Sequence, residues 1–345
     1  MIRKIILLVF MSLFFTKVFA EDTAEILLKK GNEAREAGRQ EEAISYYKQA
    51  IKKMPELAMV HINLGVAYMN LGKFKEALDA FTQAIGINPN NALAHYNLGV
   101  AYGKLGNYQE GVNAYKKAIS INPNYADAYY NLGLTYGKHE KFKEAIEAFK
   151  QVIKINPQNE VAYFDLGVAY EGLGKNQEAV EVYKQAISIN SNYAKAHYNL
   201  GVAYGKLGNY QEGVNAYKKA ISINPHYAEA HYALGSAYIM LDKYQDSVNV
   251  YKKYIALNPD LPEAHVNLGF AYREMGNYKD AVSAFKQAIK IKPDFAMAYF
   301  NLGITYIILG DKDAALDQYK ILQDIDKDLA DNLFSKISKY KSENP

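Results

Sequence analysis

A glycine returns at every 34th position of this chain, at Gly31, Gly65, Gly99, Gly133, Gly167, Gly201, Gly235, Gly269 and Gly303, with no insertion between any two. A fixed step of that size, held through nine copies, makes the folding unit a short element stacked on its own copies, without one closed core. With this glycine as position 8, the units begin at Ala24, Ala58, Ala92, Ala126, Glu160, Ala194, Ala228, Pro262 and Ala296, and fill 24–329. Other positions keep phase. Position 11 is Tyr from Tyr68 to Tyr306 and Ala34 in the first unit; position 20 is Ala, Gly or Ser; position 24 is Tyr or Phe in every unit. Position 32 is Pro except at Ser191 and Lys327.

Positions 1–14 and 18–30 carry helical periodicity. Gly at position 15, as in Gly72, Gly106 and Gly276, suits a left-handed stop after the first helix. An Asn-Pro at positions 31 and 32 stops the second, because the residue before Pro avoids the helical region. Gly at position 8 and the small residue at position 20 let two helices approach, with aromatics filling the space around them. In these residues the chain resembles the tetratricopeptide-repeat (TPR) family, over 24–329. Position 4, often Trp in that family, is His, Tyr or Leu here. The resemblance implies an all-α fold, a right-handed superhelical solenoid of nine helix-turn-helix units. Residues 330–341, with Leu333, Phe334, Ile337 and Tyr340 near helical spacing, are expected to form a capping helix before the tail to 345.

The first twenty residues read as an address. Arg3 and Lys4 precede an apolar run from Ile5 to Phe15, and Val18-Phe19-Ala20 fits a signal-peptidase site. The run is short of the roughly 20 residues that a spanning helix needs. Cleavage after Ala20 is expected, leaving an exported chain, periplasmic or secreted, with no membrane insertion; an uncleaved segment would anchor it in the same compartment. The whole chain has 40 basic and 37 acidic residues. Without Arg3, Lys4 and Lys17 the count is 37 against 37, which gives no broad attraction to nucleic acid or an anionic surface.

On the first helix of a unit, positions 4, 7, 8 and 11 share one face and positions 2, 5, 6, 9, 12 and 13 the opposite one. In the family it resembles, that second face lines the concave groove, which makes it the candidate groove here. Position 6 is Asn63, Asn97, Asn131, Asn199, Asn267 and Asn301, interrupted by Lys29, Asp165 and Ala233. Position 5 supplies Tyr96, Tyr130, Phe164, Tyr198, Tyr232 and Phe300; position 9 is Val at Val66, Val100, Val168 and Val202. An amide can pair with both N–H and C=O of an extended peptide, so one per unit makes a ladder that reads main chain. The O-GlcNAc transferases carry a similar asparagine ladder in their TPR groove, and the resemblance implies peptide binding here without their transferase domain. Packing of the next helix is the plainer reading of the same residues. Segments 94–123 and 196–225 are identical, which a duplication explains and which would also supply two equivalent surfaces.

Catalysis and metals find no support. There is no cysteine, no HExxH, no phosphate loop and no stretch left over for a catalytic fold. His61, His95, His197, His231 and His265 all stand at position 4, on the packing face and a whole repeat apart, so they are read as packing residues and not as ligands. Lysines near positions 25 and 26 read as a solvated face. No Arg occupies position 6 and Lys195 alone is basic at position 2, which argues against a carboxylate clamp. The function expected is a non-catalytic scaffold, without cofactor, binding other proteins or peptides of the cell envelope, in assembly, secretion or polysaccharide export. A glycan-binding module and a structural spacer or self-assembling rod are the alternatives, and oligomeric state stays open.

Overall fold

The computed structural model describes residues 23–343, and the export segment expected at 1–20 lies outside them. The described residues form helices joined by short turns, in two compact units, Met1–Leu173 and Gly174–Pro345. The first holds α1 (23–36), α2 (Gln40–Lys53), α3 (Ala58–Asn70), α4 (Phe74–Ile87), α5 (Ala92–Lys104), α6 (Tyr108–Ile121), α7 (Ala126–Lys138), α8 (Phe142–Ile155) and α9 (Glu160–Gly172). The second holds α10 (Asn176–Ile189), α11 (Ala194–Lys206), α12 (Tyr210–Ile223), α13 (Ala228–Met240), α14 (Tyr244–Leu257), α15 (Pro262–Glu274), α16 (Tyr278–Ile291), α17 (Ala296–Ile308), α18 (Lys312–Ile325) and α19 (Lys327–Glu343). Inside each unit every helix packs on the next, the consecutive-pair stacking of a TPR solenoid. No helix among the described residues is long and apolar enough to cross a membrane.

The first helix of a repeat spans positions 1–13 and the second 17–30, so the second begins one residue earlier than its periodicity predicts, with Phe74, Tyr108 or Phe142 as its opening residue. Between them, Gly106 has φ +78°, in the left-handed region. That conformation costs a residue with a side chain about 1–2 kcal/mol. Two repeats bear the cost with Glu140 and Asp242, at φ 58° and 56°. The second stop has a device beyond Pro. Asn88, Asn122 and Asn190 each accept, through Oδ1, the N–H two residues on at 3.1 Å, and Asn156 and Asn224 do so at 3.2 Å. Such a side-chain turn holds the backbone locally without help from a neighbour. Asn190 therefore stays extended, φ −128°, although Ser191 follows it in place of Pro.

The core of most repeats is the ring at position 24. It lies against the bare backbone of the glycine at position 8: a Cβ at Gly99 would sit 2.7 Å from the Tyr115 ring, and one at Gly133 2.7 Å from Phe149. The small residues at positions 3 and 10 of the following repeat close the other side, as Ala94 and Ala101 do over Phe81 and Ala264 and Ala271 over Tyr251. This corrects the expected packing face. Positions 3 and 10 are its most buried members, while most Tyr side chains at position 11 are half-buried. The cause is that the first helix touches two second helices, its own and the preceding one. The lysines at position 25 are not merely solvated either. Lys116 sits over Tyr136 of the next repeat, 6.0 Å from the ring centre, and Lys218 over Tyr238 at 5.5 Å. Lys48, Lys184 and Lys252 stand in the same way over Tyr68, Tyr204 and Tyr272. All five pairs are in cation–π range.

Position 4 ties each first helix to the turn before it. His61 and His95 reach the Pro55 and Pro89 carbonyls at 2.9 and 3.0 Å, His197 reaches Ser191 at 3.1 Å, and Tyr299 donates to Pro293 at 3.0 Å. At the C-terminal end α19 takes in 330–341 but starts at Lys327. It closes the stack by imitation: a Cβ at Gly303 would meet Leu333 of α19 at 2.6 Å, so Leu333 fills the slot that ring 24 fills elsewhere. Tyr319 is displaced onto Phe334, ring centres 5.0 Å apart.

Gly99→Ala is expected to cost about 1–3 kcal/mol in urea unfolding, by overpacking against the ring beneath it. Gly86→Ala, with open space around its Cβ, should be neutral or stabilising, since Ala is the better helix former. Burial lowers the pKa of His197; the Ser191 carbonyl partly offsets this and Lys219 adds to it. The neutral ring therefore stabilises the fold fully above about 6.5, and that contribution is lost as pH falls through the folded value. His197→Tyr, which can keep the turn tie as Tyr299 does, should flatten the fall in melting temperature over that range.

Candidate functional site

The first helices turn positions 2, 5, 6, 9 and 13 to one face. Position 2 is the most open: Met59, Leu93, Val161 and Met297 are 38–48% exposed, large apolar side chains left uncovered by the fold. Beside them Tyr96, Tyr130, Phe164, Tyr198, Tyr232, Phe300, Val100 and Val202 are half-buried. The tyrosines lean on one another. Tyr96 lies 6.1 Å from Tyr115 and 5.1 Å from Tyr125, and Tyr198 lies 5.9 Å from Tyr217 and 5.1 Å from Tyr227, all tilted. Tilted rings at such separations are a favoured aromatic arrangement. Burial pushes the hydroxyls of Tyr125 and Tyr227 up to about 12, so they stay neutral at any physiological pH.

The asparagines of position 6 do not form a free ladder. Asn131 donates to the Tyr96 hydroxyl at 2.8 Å, and Asn267 to those of Tyr232 and Tyr251 at 3.0 and 2.9 Å. Asn199 donates to Tyr183 at 3.4 Å, and Asn63 to Asn32 at 2.9 Å, which also receives the Tyr47 hydroxyl. One rule covers most of these contacts: the amide pairs with a hydroxyl at position 5 or 24 of the preceding repeat. Asn97 follows Ile62 and Phe81, which have none. Asn301 follows Val266 and Phe285 and departs from the row. It is 8% exposed, donates to the Met297 carbonyl at 2.9 Å and accepts from Arg273 at 2.9 Å. An amide has two donor hydrogens and an acceptor oxygen. Asn131, Asn199 and Asn267 use the nitrogen in these contacts, while Asn301 has both ends engaged.

Two concavities open on this face, each inside one compact unit. Gly137 at position 12 lets one of about 200 Å³ form between the fourth and fifth repeats, lined by Phe142, Phe149, Leu134, Val168 and Asp165. Gly205 does the same between the sixth and seventh repeats. There Ala233 and Ser236 replace larger residues and leave about 330 Å³ among Tyr198, Tyr217 and Tyr232. In sequence Asp165 and Ala233 are only interruptions of the row. Their pairing with a glycine at position 12 of the preceding repeat is the signal that marks these openings. Arg273, the partner of Asn301, escapes spacing arguments altogether, because only the fold brings position 12 beside the next repeat's position 6. The described residues hold no group of three or more His, Asp or Glu placed to bind a metal ion.

Asp165 accepts the Tyr130 hydroxyl at 2.8 Å. Burial raises its pKa, and that hydrogen bond lowers it in part. Its ionised form is therefore disfavoured by folding at neutral pH, and the penalty fades as pH falls through the folded value. Asp165→Asn should raise the melting temperature at pH 7, and the gap to the parent chain should close on acidification. A lower melting temperature at pH 7 would show that the charge is paired within the fold.

Residues 15–233 match the family model of the Cilia and flagella-associated protein 70 C-terminal domain. Models of the TPR repeat match 235–276 and 269–310, and a tetratricopeptide-repeat model matches 296–328. No curated protein matches the chain. Among solved structures, YrrB, described as a TPR protein with an unusual peptide-binding site, is 26% identical, with a TM-score of 0.50 over 54% of this chain and 96% of its own. MamA is 34% identical over 51% of this chain and 96% of its own, with a TM-score of 0.47. With nine in-phase repeats and their stacked helix pairs, the family-model matches mean that the chain belongs to the tetratricopeptide-repeat family, and over 15–233 to the family of the Cilia and flagella-associated protein 70 C-terminal domain.

Proposed function

We propose that the protein is an exported, non-catalytic interaction scaffold that takes extended polypeptide segments along the face carrying positions 2, 5, 6 and 9. The observation behind this is the composition of that face: exposed apolar side chains at position 2 beside a row of mostly half-buried amides at position 6. Apolar contact supplies affinity, and amide oxygens pair with backbone N–H groups of any sequence, as in other extended-peptide sites. YrrB, the TPR protein with a peptide-binding site, supports the reading by likeness. The glycan alternative fares less well, because the tyrosine rings that would stack on sugars already lean on their neighbours. Export, expected from the first twenty residues, would place the partner in the envelope or outside the cell.

Site-specific photo-crosslinking in the native cell tests this. Probes replace Val100 and, separately, Val202, with exposed Lys117 on a second helix as control. A discrete polypeptide adduct from the groove positions alone is the expected result. No protein adduct at either, from folded and exported protein, would sink the peptide reading.

A further inference from the structure

Asp165 is the one acid in the row at position 6. The concavity it lines is otherwise mostly apolar: Phe149 is buried, and Phe142 is held against the bare backbone of Gly172, where a Cβ would lie 2.6 Å from its ring. The Tyr130 hydroxyl engages Oδ2 of the carboxylate, and among the described residues no basic side chain forms an ion pair with it. Lys138 stands at the mouth, exposed. The neutral counterpart between the sixth and seventh repeats, with Ala233 at position 6, shows that a pocket of this kind forms without an acid. The acid is therefore a cost to the fold that the pocket does not require.

A partly buried carboxylate with lone pairs to spare is left short of partners by an apolar occupant. A cation satisfies it, and aromatic side chains beside it favour the same occupant, since ring faces attract positive charge. A guanidinium fits better than an ammonium, because it is planar, stacks on rings and is less strongly hydrated. We propose that this pocket anchors a basic side chain, arginine above lysine, of a polypeptide lying along the groove. The inference rests on the peptide reading above and adds to it a point where sequence is read.

The test uses the full chain and short labelled peptides of one extended sequence that differ only in a central guest: arginine, lysine, norleucine or glutamate. Binding is followed by fluorescence anisotropy, with the parent chain and Asp165→Asn compared. Asn keeps an oxygen for the Tyr130 hydroxyl, so this variant retains the local hydrogen bond. The arginine guest is expected to bind about tenfold tighter than norleucine, as a charge-assisted pair allows, and glutamate weakest. In Asp165→Asn the arginine advantage over norleucine should vanish. Equal binding of arginine and norleucine by the parent chain, or an arginine advantage that survives Asp165→Asn, overturns the anchor and leaves the peptide groove standing. Failure of every guest to bind overturns both.

Discussion

The ring at position 24 lies against a glycine backbone on one side and two small residues of the next repeat on the other. Tyr115 on Gly99, Phe149 on Gly133 and Phe285 on Gly269 repeat the contact. A large buried ring contributes much apolar area, but only if nothing on the first helix stands in its way. Hence the glycine at position 8. Because the ring also faces the following repeat, its burial is complete only when a neighbour is stacked, which is why one helix pair cannot stand alone. The capping helix obeys the same demand. Leu333 enters the slot at Gly303, and Tyr319 moves out onto Phe334.

That packing decides what the groove can offer. With the rings of position 24 fixed beneath the first helices, the hydroxyls of Tyr183 and Tyr251 come up under the next repeat's position 6 and take one end of its amide. Where the ring is Phe81 or Phe285, no hydroxyl rises to meet Asn97, and Asn301 turns to Arg273. The choice of Tyr or Phe in one repeat's core thus changes which partner the next repeat's amide finds inside the fold. A row that looks uniform in sequence is graded in chemistry.

The two identical segments show the limit of local identity. Tyr96 and Tyr198 keep nearly the same ring contacts. Yet Tyr96 is followed one repeat later by Asn131, which binds its hydroxyl, and Tyr198 by Ala233, which leaves a pocket. A groove surface belongs to the junction of two repeats, so duplicating one repeat does not duplicate the surface. The crosslinking positions Val100 and Val202 therefore sample two different sites despite identical flanking sequence.

Local rules suffice for the repeat, the helix pair, the turns at position 15 and the residues of the stack. They are the fixed phase of the glycines, glycine's access to positive φ, and the restriction that Asn-Pro places on the chain. Spacing also puts the row of position 6 on one helix face, since helical angles depend on nothing else. Which atoms of that row remain available is settled only in three dimensions, because hydroxyls 16 or 35 positions away in the chain compete for them. The depth of positions 3 and 10 is likewise a product of packing, with two neighbouring helices where spacing alone suggests one. Asp165, an interruption in the row, becomes the charged wall of an aromatic pocket only once Phe142 and Phe149 of the preceding repeat lie beside it.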